Sequence, residues 1–336
     1  MIRVAPDRPV STLLRWCAAA VGWAGMSAAV LGISAHSIGT VSTTMTLIAS
    51  FTPLAVLAGV LAVPALLVAR QRVAVVLAAV VAVAGIWSQL PQFISADPAT
   101  QADGSVTVRL MQANIWLGRA DLEALTRTAT ANDVDVLTVI ELTPEAVHRL
   151  TETGLTDALP YSVLYPRKGG GGAGIFSRFP LRDGAVLDGF ALNNIKAVAD
   201  IPDLEPLVVY ALHPLPPYPE PAWKWAYELR RLRGALAEDP RPLVVGADFN
   251  STYDHRQFRD LLANSAVEGA GPLLDAANFL GKGMVGTYPA GRRYPAVLAI
   301  DKVLTRGGTP TDLRRIDLPG SDHHGVVGDI RFDTSS

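Results

Sequence analysis

Between Thr12 and Ile94 the chain carries three arginines, Arg15, Arg70 and Arg72, and no lysine, aspartate or glutamate. That run divides into apolar segments at 12–34, 45–69 and 73–94. Each is about 20 residues or longer, enough as a helix to cross a hydrocarbon core about 30 Å thick. A cleaved signal peptide would account for the first segment but not for the next two. A buried core helix would account for any one of them, though poorly for three in succession. The expectation is a membrane domain over residues 1–95 with three transmembrane helices.

The positive charge is one-sided. Arg3 and Arg8 precede the first segment and Arg15 lies at its edge. The loop AHSIGTVSTT has no Lys or Arg, and Arg70 and Arg72 sit in the turn before the third segment. After that segment no Lys or Arg occurs until Arg109. The positive-inside rule then places the N-terminus in the cytoplasm and everything after the third segment outside, in a multi-pass protein of the cell membrane. The single cysteine, Cys17, rules out a disulfide framework or a cysteine-based metal site.

A polar linker, ADPATQADGS at 96–105, precedes a domain over 106–336. In that domain β-branched runs alternate with helical stretches. VTVRLMQANI, VDVLTVIEL, YSVLYP, AGIFSRFPL, KAVADI, LVVYALH, PLVVGADF, AIDKVLTR, DLRRIDL and HHGVVGDIRF read as strands. Helices are expected over 121–133, over 143–152 with Thr143 as N-cap and Pro144 behind it, over about 220–237, and around HRQFRDLLANS. This order predicts an α/β (α+β) sandwich: two packed, mostly antiparallel sheets flanked by helices. GGGGAG at 169–174 precedes a strand rather than a helix, so it reads as a flexible loop tip and not as a phosphate-binding fingerprint.

Polar residues recur where apolar strands end or begin. Asn114 follows VRLMQA, Glu141 follows VLTVI, His213 follows LVVYAL, and Asp248 and Asn250 follow PLVVGA. Asp301 follows VLAI, and Asp322 and His323 precede GVVGDI. Singly, each Asn or Asp reads as a turn former and each His as structural. As a set on stacked sheets they can converge on one rim. Glu141, Asp322 and Asn114 offer hard oxygen ligands, which suit Mg2+ or Mn2+ better than zinc. Asp248 can deprotonate a water that Asn250 holds in line. His213 and His323 can donate to charge developing on a phosphate oxygen, and Asp301 can fix the tautomer and charge of His323. Together these groups suit metal-assisted phosphoester hydrolysis.

The order Asn114, Glu141, His213, GADFN (246–250), ID (300–301) and GSDHH (320–324) resembles the endonuclease/exonuclease/phosphatase superfamily. That superfamily includes pancreatic-type deoxyribonuclease, abasic-site endonucleases, neutral sphingomyelinases and inositol polyphosphate 5-phosphatases. GGAGIFSRFPL (171–181) is similar to its Gly-rich strand, and the resemblance spans roughly 106–333. It implies a four-layer α/β sandwich with the site at one edge of the sheets. It also implies metal ligation by Glu141 with Asn114 and Asp322, and positioning of water and phosphate by Asp248 and Asn250. Transition-state stabilisation falls to His323 paired with Asp301, and phosphate contact to His213. His324 falls on a variable position. Two departures are visible: Ala247 inside GADFN, and Gly325 where proline is frequent.

After residue 100 the chain has 24 Lys and Arg against 29 Asp and Glu, a net charge of −5. A nuclease tracking a polyanion would favour a basic face. Apolar spans followed by an outer domain of this kind resemble bacterial membrane proteins associated with teicoplanin resistance. That resemblance implies a lipid bilayer and a lipid-linked phosphate or pyrophosphate of the cell envelope as partners. HPLPP after His213 and the aromatic run WKWAY (223–227) fit an amphipathic loop near a membrane, or else a helix packed on its sheet. The alternatives are an extracellular nuclease or sphingomyelinase-like phosphodiesterase, and a non-catalytic phospholipid-binding module. No protein partner is inferred.

Overall fold

The computed structural model describes residues 9–39, 41–96 and 104–334. Arg3, Arg8 and most of the 96–105 linker lie outside them. The chain divides into two compact units, Met1–Pro91 with Asp254–Arg256, and Gln92–Tyr253 with Gln257–Ser336.

In the first unit α1 (Pro9–Ile38), α2 (Thr43–Ser50), α3 (Thr52–Val68) and α4 (Arg72–Gln89) follow one another. Thr12–Ile38 and Arg72–Gln92 are each long and apolar enough to cross a membrane. The expected middle span is broken. α2 and α3 meet at 66° and pass the same test only as a pair, so among the described residues the helices able to span number two, or three if the bent pair counts as one. The break has a local cause. Pro53 sits in the first turn of α3, where a missing N–H costs nothing, whereas its ring would clash with the preceding turn of a continuous helix. α1 and α3 approach through small residues. A Cβ on Gly25 would lie 2.5 Å from the Ala58 carbonyl oxygen, and one on Gly59 2.6 Å from the Ala29 Cβ. Close backbone approach through glycine and alanine is how helices pack in lipid, where apolar burial alone gives no drive. The outward side chains are apolar, among them Trp16, Val21, Leu57, Leu61, Val76, Val83 and Trp87.

The second unit holds β1 (Ser105–Asn114), α5 (Leu122–Ala131), β2 (Val136–Ile140), α6 (Pro144–Glu152), α7 (Leu155–Ala158), β3 (Tyr161–Tyr165) and β4 (Ala173–Ser177). It continues with β5 (Leu181–Val186), β6 (Ile195–Ala199), β7 (Leu207–Leu212), α8 (Ala222–Glu238), β8 (Leu243–Asp248) and α9 (Arg256–Asn264). The last elements are β9 (Leu274–Asp275), α10 (Ala276–Phe279), β10 (Asp301–Arg306), β11 (Thr309–Ile316) and β12 (Gly325–Asp333). The strands form two sheets, ordered β11-β12-β1-β2-β4-β3 and β5-β6-β7-β8-β10-β9. Among the described residues only β1/β2 and β7/β8 pair in parallel, so the sheets are mostly antiparallel, as expected. Thr143 caps α6 as its sequence predicts, its hydroxyl accepting from the Ala146 amide at 3.1 Å.

Three apolar cores make the layers. Val108, Ile140, Ile175, Val209, Val244 and Val303 fill the space between the sheets. Leu122, Leu125 and Leu150 cover the outer face of the first sheet, and Trp225, Leu229 and Leu232 that of the second. The sheets come close at Gly246, where a Cβ would lie 2.0 Å from the Thr138 Oγ1. Gly246→Val is expected to cost about 3 kcal/mol or more by overpacking, read as a lowered thermal midpoint of the purified chain. An unchanged midpoint would mean the sheets yield there.

The topology explains the rim. β1, β2, β7 and β8 run the same way and end at Asn114, Ile140, Leu212 and Asp248. β10 and β12 are antiparallel to β8 and β1 and begin there, with Asp301 opposite Asp248. The polar residues that flank the apolar runs therefore share one edge of the sandwich.

Candidate active site at the sheet rim

Asp248 is the hub of this edge and is almost fully buried. Its Oδ1 accepts from the Asn250 amide at 2.9 Å, and its Oδ2 from Asn114 Nδ2 at 3.1 Å. Two imidazoles flank the same oxygen, His213 Nε2 at 3.7 Å and His323 Nε2 at 3.8 Å. Those separations are too long for direct hydrogen bonds, and a water can bridge them.

His323 is oriented from every side. Its Nδ1 lies 2.8 Å from Asp301 Oδ2, and its backbone amide donates to Ser321 Oγ at 3.0 Å. Ser321 Oγ in turn donates to the Asn114 carbonyl at 2.8 Å, which ties this segment to the end of β1. The Tyr288 ring packs on the imidazole at 4.9 Å between centroids. Burial works against the charge of His323, but the carboxylates of Asp301 and Asp248 outweigh it and push its pKa up to about 10. The group is therefore an imidazolium at neutral pH. His324 turns elsewhere: its Nδ1 lies 3.0 Å from Asp317, and burial lowers its pKa.

Glu141 and Asn114 form the neighbouring corner. Asn114 Nδ2 donates to Glu141 Oε1 at 3.2 Å as well as to Asp248, and its Oδ1 accepts from the Trp116 amide at 3.0 Å. Glu141 Oε2 accepts from the Leu117 amide at 2.9 Å. Trp116, Leu117, Glu141 and Asn250 all have positive φ, at 44°, 55°, 63° and 49°. Asparagine tolerates that region; the other three store strain there, as backbones at functional sites often do. The glycine run beside them is an open turn only at its start, where Gly169 is exposed with nothing within 4 Å of its Cβ position. A Cβ on Gly172 would lie 1.8 Å from the Leu142 carbonyl oxygen, and one on Gly170 3.6 Å from the Glu141 carboxyl carbon. Glycine is needed because the chain passes directly over the residues next to Glu141.

The carboxylates outnumber the cations. Burial raises the pKa of Asp322, the charges of Glu141 and Asp248 raise it further, and His323 only partly offsets them. A rim of hard oxygen donors lacking countercharge fits a divalent cation. Ligating atoms of Asp248, Asp301 and His323 also lie within 4.8 Å of one another. In that trio the short Asp301–His323 contact pairs those two with each other.

All eight residues expected from the sequence thus lie on this edge. Some supporting residues were not among them. Asn194 is fully buried; its Oδ1 accepts from the His213 amide at 2.8 Å. Thr287 Oγ1 accepts from the Asp301 amide at 3.2 Å, and the Thr287 carbonyl from the His324 amide at 2.8 Å. Asn194 opens an apolar strand and fits the strand-end rule that found the others. Thr287 and Tyr288 lie in an irregular loop where no such rule applies.

The pattern described as Endonuclease/Exonuclease/phosphatase family matches residues 111–323. The chain belongs to this family. Its members are metal-dependent phosphoester hydrolases, and this chain is one of them. The second unit is similar to a solved endonuclease/exonuclease/phosphatase from Beutenbergia cavernae DSM 12333. The two share 20% identity and a TM-score of 0.51, over 68% of this chain and 72% of that one. It is also similar to D. rerio TDP2 complexed with single strand DNA product, at 18% identity and a TM-score of 0.52 over 67% and 98%. A third is the family protein from Bacteroides vulgatus, at 17% and 0.51 over 67% and 98%. These likenesses concern the fold. No curated protein matches the chain.

Proposed function

We propose that this family member is anchored in a cell membrane by its N-terminal helices. In this reading it hydrolyses a lipid-linked phosphate or pyrophosphate of the cell envelope, outside the membrane. The observation that carries the reading is the pairing, in one chain, of apolar helices of spanning length with an Asp248-centred phosphoester site. The net charge of −5 after residue 100 supports a compact anionic substrate over a polyanion track. Arg292 and Arg293, exposed on the loop that starts at Tyr288, add local cations suited to a phosphate-rich headgroup.

In this reading Asp248 takes the proton from the attacking water, and Asn250 keeps that water in line. The Asn250 amide already ties it to Asp248, and its Nδ2 donates to the Pro214 carbonyl at 3.1 Å. The imidazolium of His323, held by Asp301, and the ring of His213 donate from their Nε2 atoms to the phosphate oxygens between them. Glu141 and Asp322, with Asn114, would hold Mg2+ or Mn2+. Such an ion neutralises charge on phosphate and polarises the phosphorus–oxygen bond.

A nuclease is the second reading, favoured by the single strand DNA product in the TDP2 neighbour. The deciding experiment offers the detergent-solubilised chain undecaprenyl pyrophosphate, sphingomyelin and double-stranded DNA, each with Mg2+. Preferential release of phosphate from the prenyl pyrophosphate is expected. Cleavage of DNA alone would reverse the ranking.

A further inference from the structure

α8 has two faces of different character. Inward, Trp225 is fully buried and its Nε1 donates to Ser251 Oγ at 3.1 Å, one residue beyond Asn250. Glu228, also inward, accepts from the Leu215 amide at 2.7 Å and the Ala191 amide at 2.9 Å. These contacts fix the helix to the segments that carry Asn250 and His213. Outward, Trp223 is 60% exposed and Tyr227, one turn on, 45%. One turn further, the Arg231 guanidinium lies 5.9 Å from the Tyr227 ring centre and 5.8 Å from that of Phe190. Just before the helix Tyr218 is 64% exposed, and Arg230 adds a cation beside the stripe, while Lys224 is paired with Glu220 at 2.7 Å. The aromatic run WKWAY is thus split: Trp225 packs the helix on its sheet, while Trp223 and Tyr227 do not.

Single exposed apolar residues need no explanation, but aromatics repeated along one helix face beside cations do. Trp and Tyr have an apolar body and a polar tip, which suits the headgroup zone of a bilayer, and Lys and Arg suit its phosphates. The same chain carries apolar helices of spanning length. On the membrane reading above, the domain is held in one chain with those helices and so works at a bilayer surface.

We propose that Tyr218, Trp223 and Tyr227, with Arg231, form a contact surface for the phospholipid headgroup zone that brings the mouth of the site onto membrane-borne substrate. The inference rests on the lipid reading above, and its test separates the two. The full-length chain is reconstituted into phosphatidylcholine/phosphatidylglycerol vesicles. It carries Trp223→Cys in a Cys17→Ser background, labelled with an environment-sensitive fluorophore. Headgroup-region spin-labelled lipid is expected to quench this label and to leave a label at Glu205→Cys unquenched. Quenching at neither position, or equally at both, overturns the surface; quenching at neither would point to solvent or a protein partner. In parallel, Tyr218→Ser/Trp223→Ser/Tyr227→Ser is expected to lower turnover of vesicle-borne prenyl pyrophosphate about tenfold by weakened interfacial binding, with a water-soluble short-chain pyrophosphate unaffected. Equal loss on both substrates also overturns it. Quenching at 223 in the labelled variant, together with a wild-type chain that leaves lipid pyrophosphate intact, would keep the surface and remove the lipid substrate.

Discussion

His323→Gln is expected to lower turnover by about three orders of magnitude, the upper range for loss of one positioned proton donor and charge stabiliser. Glutamine is the informative replacement. His323→Ala would leave the Asp301 carboxylate buried without its partner, and breaking a buried ion pair from one side costs about 3–5 kcal/mol. A dead alanine variant could then be merely an unfolded one. Glutamine keeps a donor near Asp301, so the thermal midpoint should stay close to wild type while the rate collapses. Asp301→Asn should fall less far, since it removes only the charge that holds the imidazolium, and His323→Gln/Asp301→Asn should be no worse than His323→Gln alone. Such non-additivity marks two residues acting as one unit. Full activity in His323→Gln would remove this histidine from the chemistry.

Removing divalent metal is expected to have an effect of the same order. Charge neutralisation by a bound cation supplies several kcal/mol to a phosphoryl transition state, equivalent to about three orders of magnitude in rate. Excess chelator should therefore abolish turnover, and Mg2+ or Mn2+ should restore it. Glu141→Gln should raise the Mg2+ concentration for half-maximal activity at least about tenfold. A second readout does not depend on catalysis. A cation that binds only the folded state raises the thermal midpoint by mass action, and Glu141→Gln should blunt that rise. A wild-type chain indifferent to chelator in both rate and midpoint would contradict the metal assignment to Glu141, Asn114 and Asp322.

The rim was legible because strands alternate predictably and end on polar residues. Asn114, Glu141, Asp248 and Asp301 each close or open an apolar run, and the chain direction of β1, β2, β7 and β8 gathers those ends. Pairing between distant strands leaves no local trace, so the order of strands within each sheet was not legible. The break in the middle apolar segment was hidden for a related reason. Its hydropathy is continuous, while the 66° break is set by one proline in the first turn of α3. The glycine run was only half legible because glycine serves two ends: it permits open turns, as at Gly169, and it permits close approach. At Gly172 the second holds, and only the fold brings Leu142 against it. The aromatic run was ambiguous until helix phase was known, since Trp223 and Trp225 are two residues apart and so face different ways on α8.

The most direct measurement is release of inorganic phosphate from undecaprenyl pyrophosphate by the detergent-solubilised full chain with Mg2+. Asp248→Ala and a chelator-treated sample run beside it. The account predicts release by wild type, and none above background in the other two. Release that persists in Asp248→Ala, or a wild type silent on this lipid but active on DNA, would contradict it.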